Sequence, residues 1–216
     1  MLALPFHREV LSFLAFLAFV PFFFALKERS SWRSFTLSYL WGVFFFLFQS
    51  YALIYVSVIG YALIVFYLAL YLGIFGVICR HFLDLSAETP AIYYQSHTRS
   101  IFFIPAVWVL LEYARTWVIS GIPWAFLGYS QWKNIAFIQM ADVVGVYGVS
   151  FVVCLVNVIL FKIIQAFVEK KFSWKEFEGR SHRQQYLGNL FVFLIVFMGA
   201  MYLYGAWTLG VRDRYY

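Results

Sequence analysis

Three residues at helical spacing carry the chemistry that stands out in this sequence: Trp108, Glu112 and Arg115. Glu112 and Arg115 are three apart, so in a helix they share a face, and both lie in a strongly apolar stretch. A charge at mid-bilayer costs about 2.5–3.5 kcal/mol on insertion scales, which obliges such a pair to face protein or a polar cavity. Two roles fit: an ion pair that holds helices together, or the polar lining beneath a lipid headgroup or substrate. Other reactive side chains fit catalysis poorly. Cys79 and Cys154 sit in apolar runs far from any ligand-like cluster and read as core thiols, poor nucleophiles in such surroundings. Ser150, in Gly148-Val149-Ser150-Phe151, lacks the second glycine of a nucleophile elbow. His81 and His97 share a loop at a spacing unlike a metal site. No glycine loop that would cradle a phosphate is found, so the sequence predicts neither catalytic residues, nor a metal, nor a cofactor.

The elements that hold these residues are set by composition. Of 216 residues, 64% are hydrophobic, 24% aromatic and only 12% charged, about half the charge of a soluble domain. Mean hydropathy is +0.81. The apolar runs reach the roughly 20 residues that one helical crossing needs. Strands compete, given so much Phe, Tyr and Val, but a membrane barrel alternates apolar and polar residues. Val43-Phe44-Phe45-Phe46-Leu47-Phe48 does not. The expectation is an all-α polytopic bundle in one transmembrane domain, with about six spans near 10–26, 36–55, 61–79, 101–120, 143–161 and 187–210. The second and third are divided near Val56 to Gly60, between Tyr51, Tyr55 and Tyr61. Arg80–Ser100 reads as a polar loop, and Lys162–Arg183 as a solvated hairpin, with binding of anionic lipid as a further role.

The net charge of +6 does not point to nucleic acid, because the basic residues cluster between spans. Lys27, Arg29, Arg33, Arg80, Arg99 and the basic residues of 162–183 all follow odd-numbered spans. Loops rich in Lys and Arg stay in the cytoplasm, which predicts both termini outside. The apolar run after the N-terminus has no cleavage site, so an outside N-terminus points to a preceding helix.

Between the fourth and fifth spans, Gly121-Ile122-Pro123-Trp124 and Gly128-Tyr129-Ser130-Gln131-Trp132 interrupt the helical pattern. Their aromatics suit interface depth, so this segment reads as a half-buried outer loop. Trp124 and Tyr129 each join a broad apolar face to a polar hydrogen able to reach a headgroup. Gly145 and Gly148, on one face of the fifth span, read as a site of close helix approach.

Several of these segments together resemble the membrane region of apolipoprotein N-acyltransferases. They are Pro105-x-x-Trp108-x-x-x-Glu112-x-x-Arg115, Gly121-x-Pro123-Trp124, Gly128-Tyr129-Ser130-Gln131, and GVYGVSF at 145–151 followed by Asn157. Val20-Pro21-Phe22, SYLWG at 38–42 and Ile59-Gly60-Tyr61 are similar as well. The resemblance implies a bacterial inner-membrane protein and lipoprotein biosynthesis. In that family a periplasmic nitrilase-like domain forms an acyl thioester from phospholipid, then acylates a lipoprotein's N-terminal cysteine. Only six residues follow Gly210, so the expectation is that this chain lacks that domain and supplies the platform. Its expected partners are phospholipid, lipoprotein substrate and a separately encoded nitrilase-like domain. The expected contacts are Trp124, Tyr129, Gln131, Trp108, Glu112 and Arg115. The alternative is a non-catalytic lipid-binding or assembly scaffold. A small transporter is weaker, since only Glu112, Arg115 and Asn157 lie deep.

Overall fold

The computed structural model describes residues 9–83, 90–119, 121–168 and 182–212. Among them there are helices and no strands. A 3-10 turn, Glu9–Phe16, leads into α1 (Val20–Leu26). Next come α2 (Ser31–Gln49), α3 (Val58–Leu83) and α4 (Pro90–Arg115). After an irregular stretch and a 3-10 turn at Leu127–Gln131, the chain forms α5 (Ile135–Ile138), α6 (Ala141–Val168) and α7 (His182–Arg212). The all-helical expectation holds.

Among the described residues three helical segments are long and apolar enough to cross a membrane: Val58–Leu83, Ala141–Val168 and Gly188–Val211. Six spans is therefore more than length and composition support, and the remaining segments show why. The first apolar run is broken before Pro21, leaving a short apolar helical stretch, Ser12–Leu26. Along α2, Arg33 and Ser31, Ser34, Thr36 and Ser38 dilute the apolar residues. Helix α4 begins at Pro90, so the polar residues up to Ser100, expected as loop, form its first turns. It ends at Arg115 rather than Ser120. Lys162, expected to open the cytoplasmic loop, lies within α6 and is buried. The rest of that loop beyond Val168, and the side chain of His97, lie outside the described residues.

Two long helices can approach closely in lipid only where side chains are small. Helices α2 and α3 meet in this way. A Cβ on Gly42 would lie 3.0 Å from Leu72 Cβ, and one on Gly73 would press into the Phe35 ring at 2.6 Å. A Cβ on Gly76 would meet Ser38 more closely still, with the Ser34 carbonyl at 3.2 Å. Tyr61 donates to the Leu47 carbonyl at 2.8 Å, while Arg80 donates to Ser31 Oγ at 2.9 Å. The pairings run in opposite senses along the chain, so the helices are antiparallel. The connecting turn, with Ser57 Oγ accepting from Gly60 N–H at 3.1 Å, lies at the far end from Arg80.

Helix α4 runs back beside α3, with Phe82 against Phe103 at 4.2 Å and Tyr67 O–H donating to the Val118 carbonyl at 3.1 Å. At its centre, Phe19 packs on Trp41, Phe75 and Trp108, with ring centroids 5.4, 6.0 and 4.8 Å away. One aromatic hub thus joins α1's entry to α2, α3 and α4. The bundle has two distinct ends. Lys27, Arg29, Arg33 and Arg80 gather at one. At the other lie Tyr51, Tyr55 and the 121–133 segment, followed by Asn134 and the short α5, against which the C-terminal half of α7 packs. A Cβ on Gly205 would collide with the Ala136 carbonyl, and Asn134 Nδ2 donates to Tyr202 Oη at 2.7 Å.

Candidate functional site

The segment from Gly121 to Lys133 is irregular because its sequence forbids a helix. Gly121 adopts φ 70°, and a Cβ there would meet the Thr116 carbonyl at 2.5 Å. Ile122 N–H reaches back to the Arg115 carbonyl at 2.8 Å, which caps α4, and Pro123 follows. Irregular backbone at membrane depth needs protein groups to satisfy its N–H and C=O groups. Glu112 supplies the principal one. Its buried Oε1 accepts from Leu127 N–H at 2.6 Å and from Trp108 Nε1–H at 2.8 Å.

Arg115 completes the node. Its guanidinium stands 3.8 Å from Glu112 Oε1 and donates a long bond, 3.5 Å, to the Trp124 carbonyl. It lies over the Phe46 and Phe126 rings, 5.7 and 5.5 Å from their centroids, so its charge is offset by two π faces as well as a carboxylate. A cavity of about 10 Å³, lined by Tyr71, Leu72, Trp108, Leu111, Glu112 and Arg115, adjoins the pair and has room for about one water. The pair thus does more than link two side chains: it fixes the loop backbone at Trp124 and Leu127.

A second strut comes from α6. Ser150 Oγ accepts from Gly128 N–H at 2.8 Å. A Cβ at 128 would sit 2.7 Å from the Val146 carbonyl, so only glycine permits this approach. The close approach expected of Gly145 is not found. Gly145 takes φ 65° and breaks the helix, and a Cβ there would meet nothing within 4 Å. Gly148 faces Val144 of its own chain segment. The close contact is made by Gly128 instead.

Of the six residues singled out, the structure gathers Trp108, Glu112 and Arg115 in one buried node. Gln131 is also buried but serves a different contact, donating from Nε2 to the Ser12 carbonyl at 2.9 Å. Trp124 and Tyr129 project outward, 46% and 44% exposed, beside Trp132 at 52%. Their backbone neighbours Leu127, Gly128 and Ser130 are buried. The loop is thus half-buried, with its polar anchors inside and its aromatics outside.

Asn157 is a further buried group with a clear task. Its Oδ1 accepts from Phe19 N–H at 2.9 Å, and its Nδ2 donates to the Ala15 and Val153 carbonyls at 2.7 and 2.8 Å. It closes the backbone gap where the first helical segment breaks. Spacing in the sequence does not reveal this role or that of Ser150, since the partners lie 138 and 22 residues away. Both cysteines are free and fully buried. Among the described residues no group of His, Cys, Asp and Glu is placed to hold a metal.

The family model for the apolipoprotein N-acyltransferase N-terminal domain matches residues 1–159. The chain belongs to the apolipoprotein N-acyltransferase family. It is 33% identical over 190 residues to an apolipoprotein N-acyltransferase of Geobacter metallireducens, which covers 79% of this chain and 33% of that protein. Apolipoprotein N-acyltransferase 1 of Treponema denticola is 28% identical over 201 residues, 91% of this chain and 33% of its own length. The Pasteurella multocida apolipoprotein N-acyltransferase is 27% identical over 172 residues, 74% of this chain and 30% of its own. The chain thus spans about a third of the length of these relatives. No solved structure matches it. The family match includes the Glu112–Arg115 node, the aromatic loop, Ser150 and Asn157.

Proposed function

We propose that this chain is the membrane platform of a lipoprotein N-acyltransferase system in the bacterial inner membrane. It would hold phospholipid and lipoprotein where a nitrilase-like domain transfers the acyl chain. The observation that supports this most is the loop at 121–133. Its backbone is fixed from within by Glu112, Arg115 and Ser150, while Trp124 and Tyr129 stay exposed at the aromatic end of the bundle. A rigid scaffold with exposed aromatic contacts suits a surface that must present a lipid ester at a fixed height. Counting Lys and Arg by side supports placing that end, and the C-terminal half of α7 with it, in the periplasm.

The transferring thiol belongs to the nitrilase-like domain in this account, because Cys79 and Cys154 are sealed in the core. The test is reconstitution of the chain with such a domain, joined or separately made, in phosphatidylethanolamine vesicles with a diacylglyceryl-cysteine peptide. Trp124→Ala and Tyr129→Ala should each lower acyl transfer roughly three- to tenfold, the worth of one aromatic contact. Melting temperature and expression should stay close to wild type. Full activity in both variants would reduce the loop to a membrane anchor.

A further inference from the structure

A groove of about 430 Å³ opens at the basic end of the bundle, at the start of α2 and remote from the aromatic loop. It is lined by Arg29, Trp32, Arg33, Thr36, Leu37 and Leu40. Two features distinguish it from an ordinary charged surface. The first is its gradient. Along the chain the lining starts with Arg29 and Arg33, at the beginning of α2, and then passes through Thr36 to Leu37 and Leu40. Leu40 lies seven residues beyond Arg33, about 10 Å farther along the helix. Trp32 and Leu40 are 75% and 51% exposed, so the apolar wall is open along its length.

The second feature is the charge balance. Among the described residues no acidic side chain lines the groove. The nearest carboxylate in sequence, Glu28, pairs with Lys27 at 3.4 Å. The N-terminus of α2, capped by Ser30 Oγ on Arg33 N–H, adds the positive end of a 19-residue helix to the two arginines.

We propose that this groove is a binding site for an anionic phospholipid of the leaflet at the basic end of the bundle. The phosphate bridges Arg29 and Arg33, whose planar guanidiniums suit bidentate contact with phosphate oxygens. One acyl chain descends past Trp32 and Thr36 onto Leu37 and Leu40. Opposite charge selects the headgroup, and the apolar wall excludes a free anion as the preferred occupant. The site is independent of acyl transfer. It lies at the opposite end of the bundle from the loop, so it serves orientation and retention of the chain.

Native mass spectrometry of the full chain, purified in a neutral detergent, tests this. The chain is offered phosphatidylglycerol and phosphatidylcholine of identical acyl chains in equal amounts. Wild type should retain phosphatidylglycerol preferentially. Each arginine near an anionic surface is worth about fivefold in binding, so Arg29→Gln/Arg33→Gln should cut the preference roughly 25-fold. Both side chains are exposed, so the melting temperature should not change. Neither inorganic phosphate nor the deacylated headgroup, glycerophosphoglycerol, in millimolar excess should displace the lipid. Three results would each overturn the proposal: equal retention of both lipids by wild type, a preference that survives in the double variant, or displacement by inorganic phosphate or the deacylated headgroup as readily as by the lipid.

Discussion

Glu112→Ala is expected to destabilise the bundle by about 3–5 kcal/mol, the cost of breaking a buried ion pair from one side. Several losses coincide. Arg115 keeps its charge in the same buried position, with the Phe46 and Phe126 rings and a long bond to the Trp124 carbonyl beside it but no carboxylate partner. The N–H groups of Leu127 and Trp108 lose their shared acceptor, Glu112 Oε1. In a detergent melt, a change of this size lowers the transition by roughly 6–20 °C for a chain of this length. Glu112→Gln separates the contributions, because its amide oxygen can still accept from Leu127 and only the charge is removed. It should fall between wild type and Glu112→Ala. Adding Arg115→Gln to Glu112→Gln removes the stranded cation, so the double variant should lose less than the sum of the two single losses. Strict additivity would mean that the 3.8 Å approach of the two groups carries no energy.

Asn157→Leu has the second largest expected effect. The substitution roughly preserves volume and removes every hydrogen bond of the side chain. Phe19 N–H is left without its acceptor, and the Ala15 carbonyl without its donor, both deep in an apolar bundle. An orphaned buried N–H costs about 1–3 kcal/mol and a carbonyl, better tolerated, about 1, so the pair amounts to roughly 2–4 kcal/mol. The damage should be local, because Asn157 bridges the break between the first 3-10 turn and α1. Hydrogen exchange should accelerate across 12–26 well before the α2–α3 pair responds. An unchanged exchange pattern there would mean that the break satisfies its own backbone groups without α6.

Part of this architecture is legible in the sequence because it depends on local pattern. The apolar runs, their lack of alternation and the Gly-Pro interruptions specify helices and one irregular loop, and the structure has both. The Glu112–Arg115 face can be read from three-residue spacing. The number of crossing helices is harder to read, since a window of apolar residues ignores where the backbone breaks. The first run looks continuous from Val10 to Leu26, yet its helix is interrupted before Pro21. The glycines misled for a related reason. Gly145 and Gly148 have the spacing of a helix-contact stripe, but a positive φ at Gly145 takes that position out of the helix. The true close approach is at Gly128, whose neighbour, the Val146 carbonyl, is unrelated by any period.

The site shows the same division. Trp124 and Tyr129 are recognisable as interface aromatics by type and setting. What makes their loop rigid is not, because its anchors, Glu112, Ser150 and Gln131, act on backbone groups in other parts of the chain. A backbone N–H has no signature in the sequence, so Leu127 and Gly128 attract no attention there. Glu112 looks like one half of an ion pair, and in the structure it is first a backbone acceptor.

The central claim is that this loop, held from inside, is the surface that meets phospholipid. Photo-crosslinking tests it most directly. The chain is placed in vesicles containing a phospholipid that bears a diazirine beside its acyl-ester carbonyl, and the adducts are located by peptide mass spectrometry. The account predicts adducts concentrated between Gly121 and Lys133, centred on Trp124 and Tyr129, and dispersed when Glu112→Ala releases the loop. Adducts spread evenly over the exposed faces of α3 and α7, with none enriched in the loop, would contradict it.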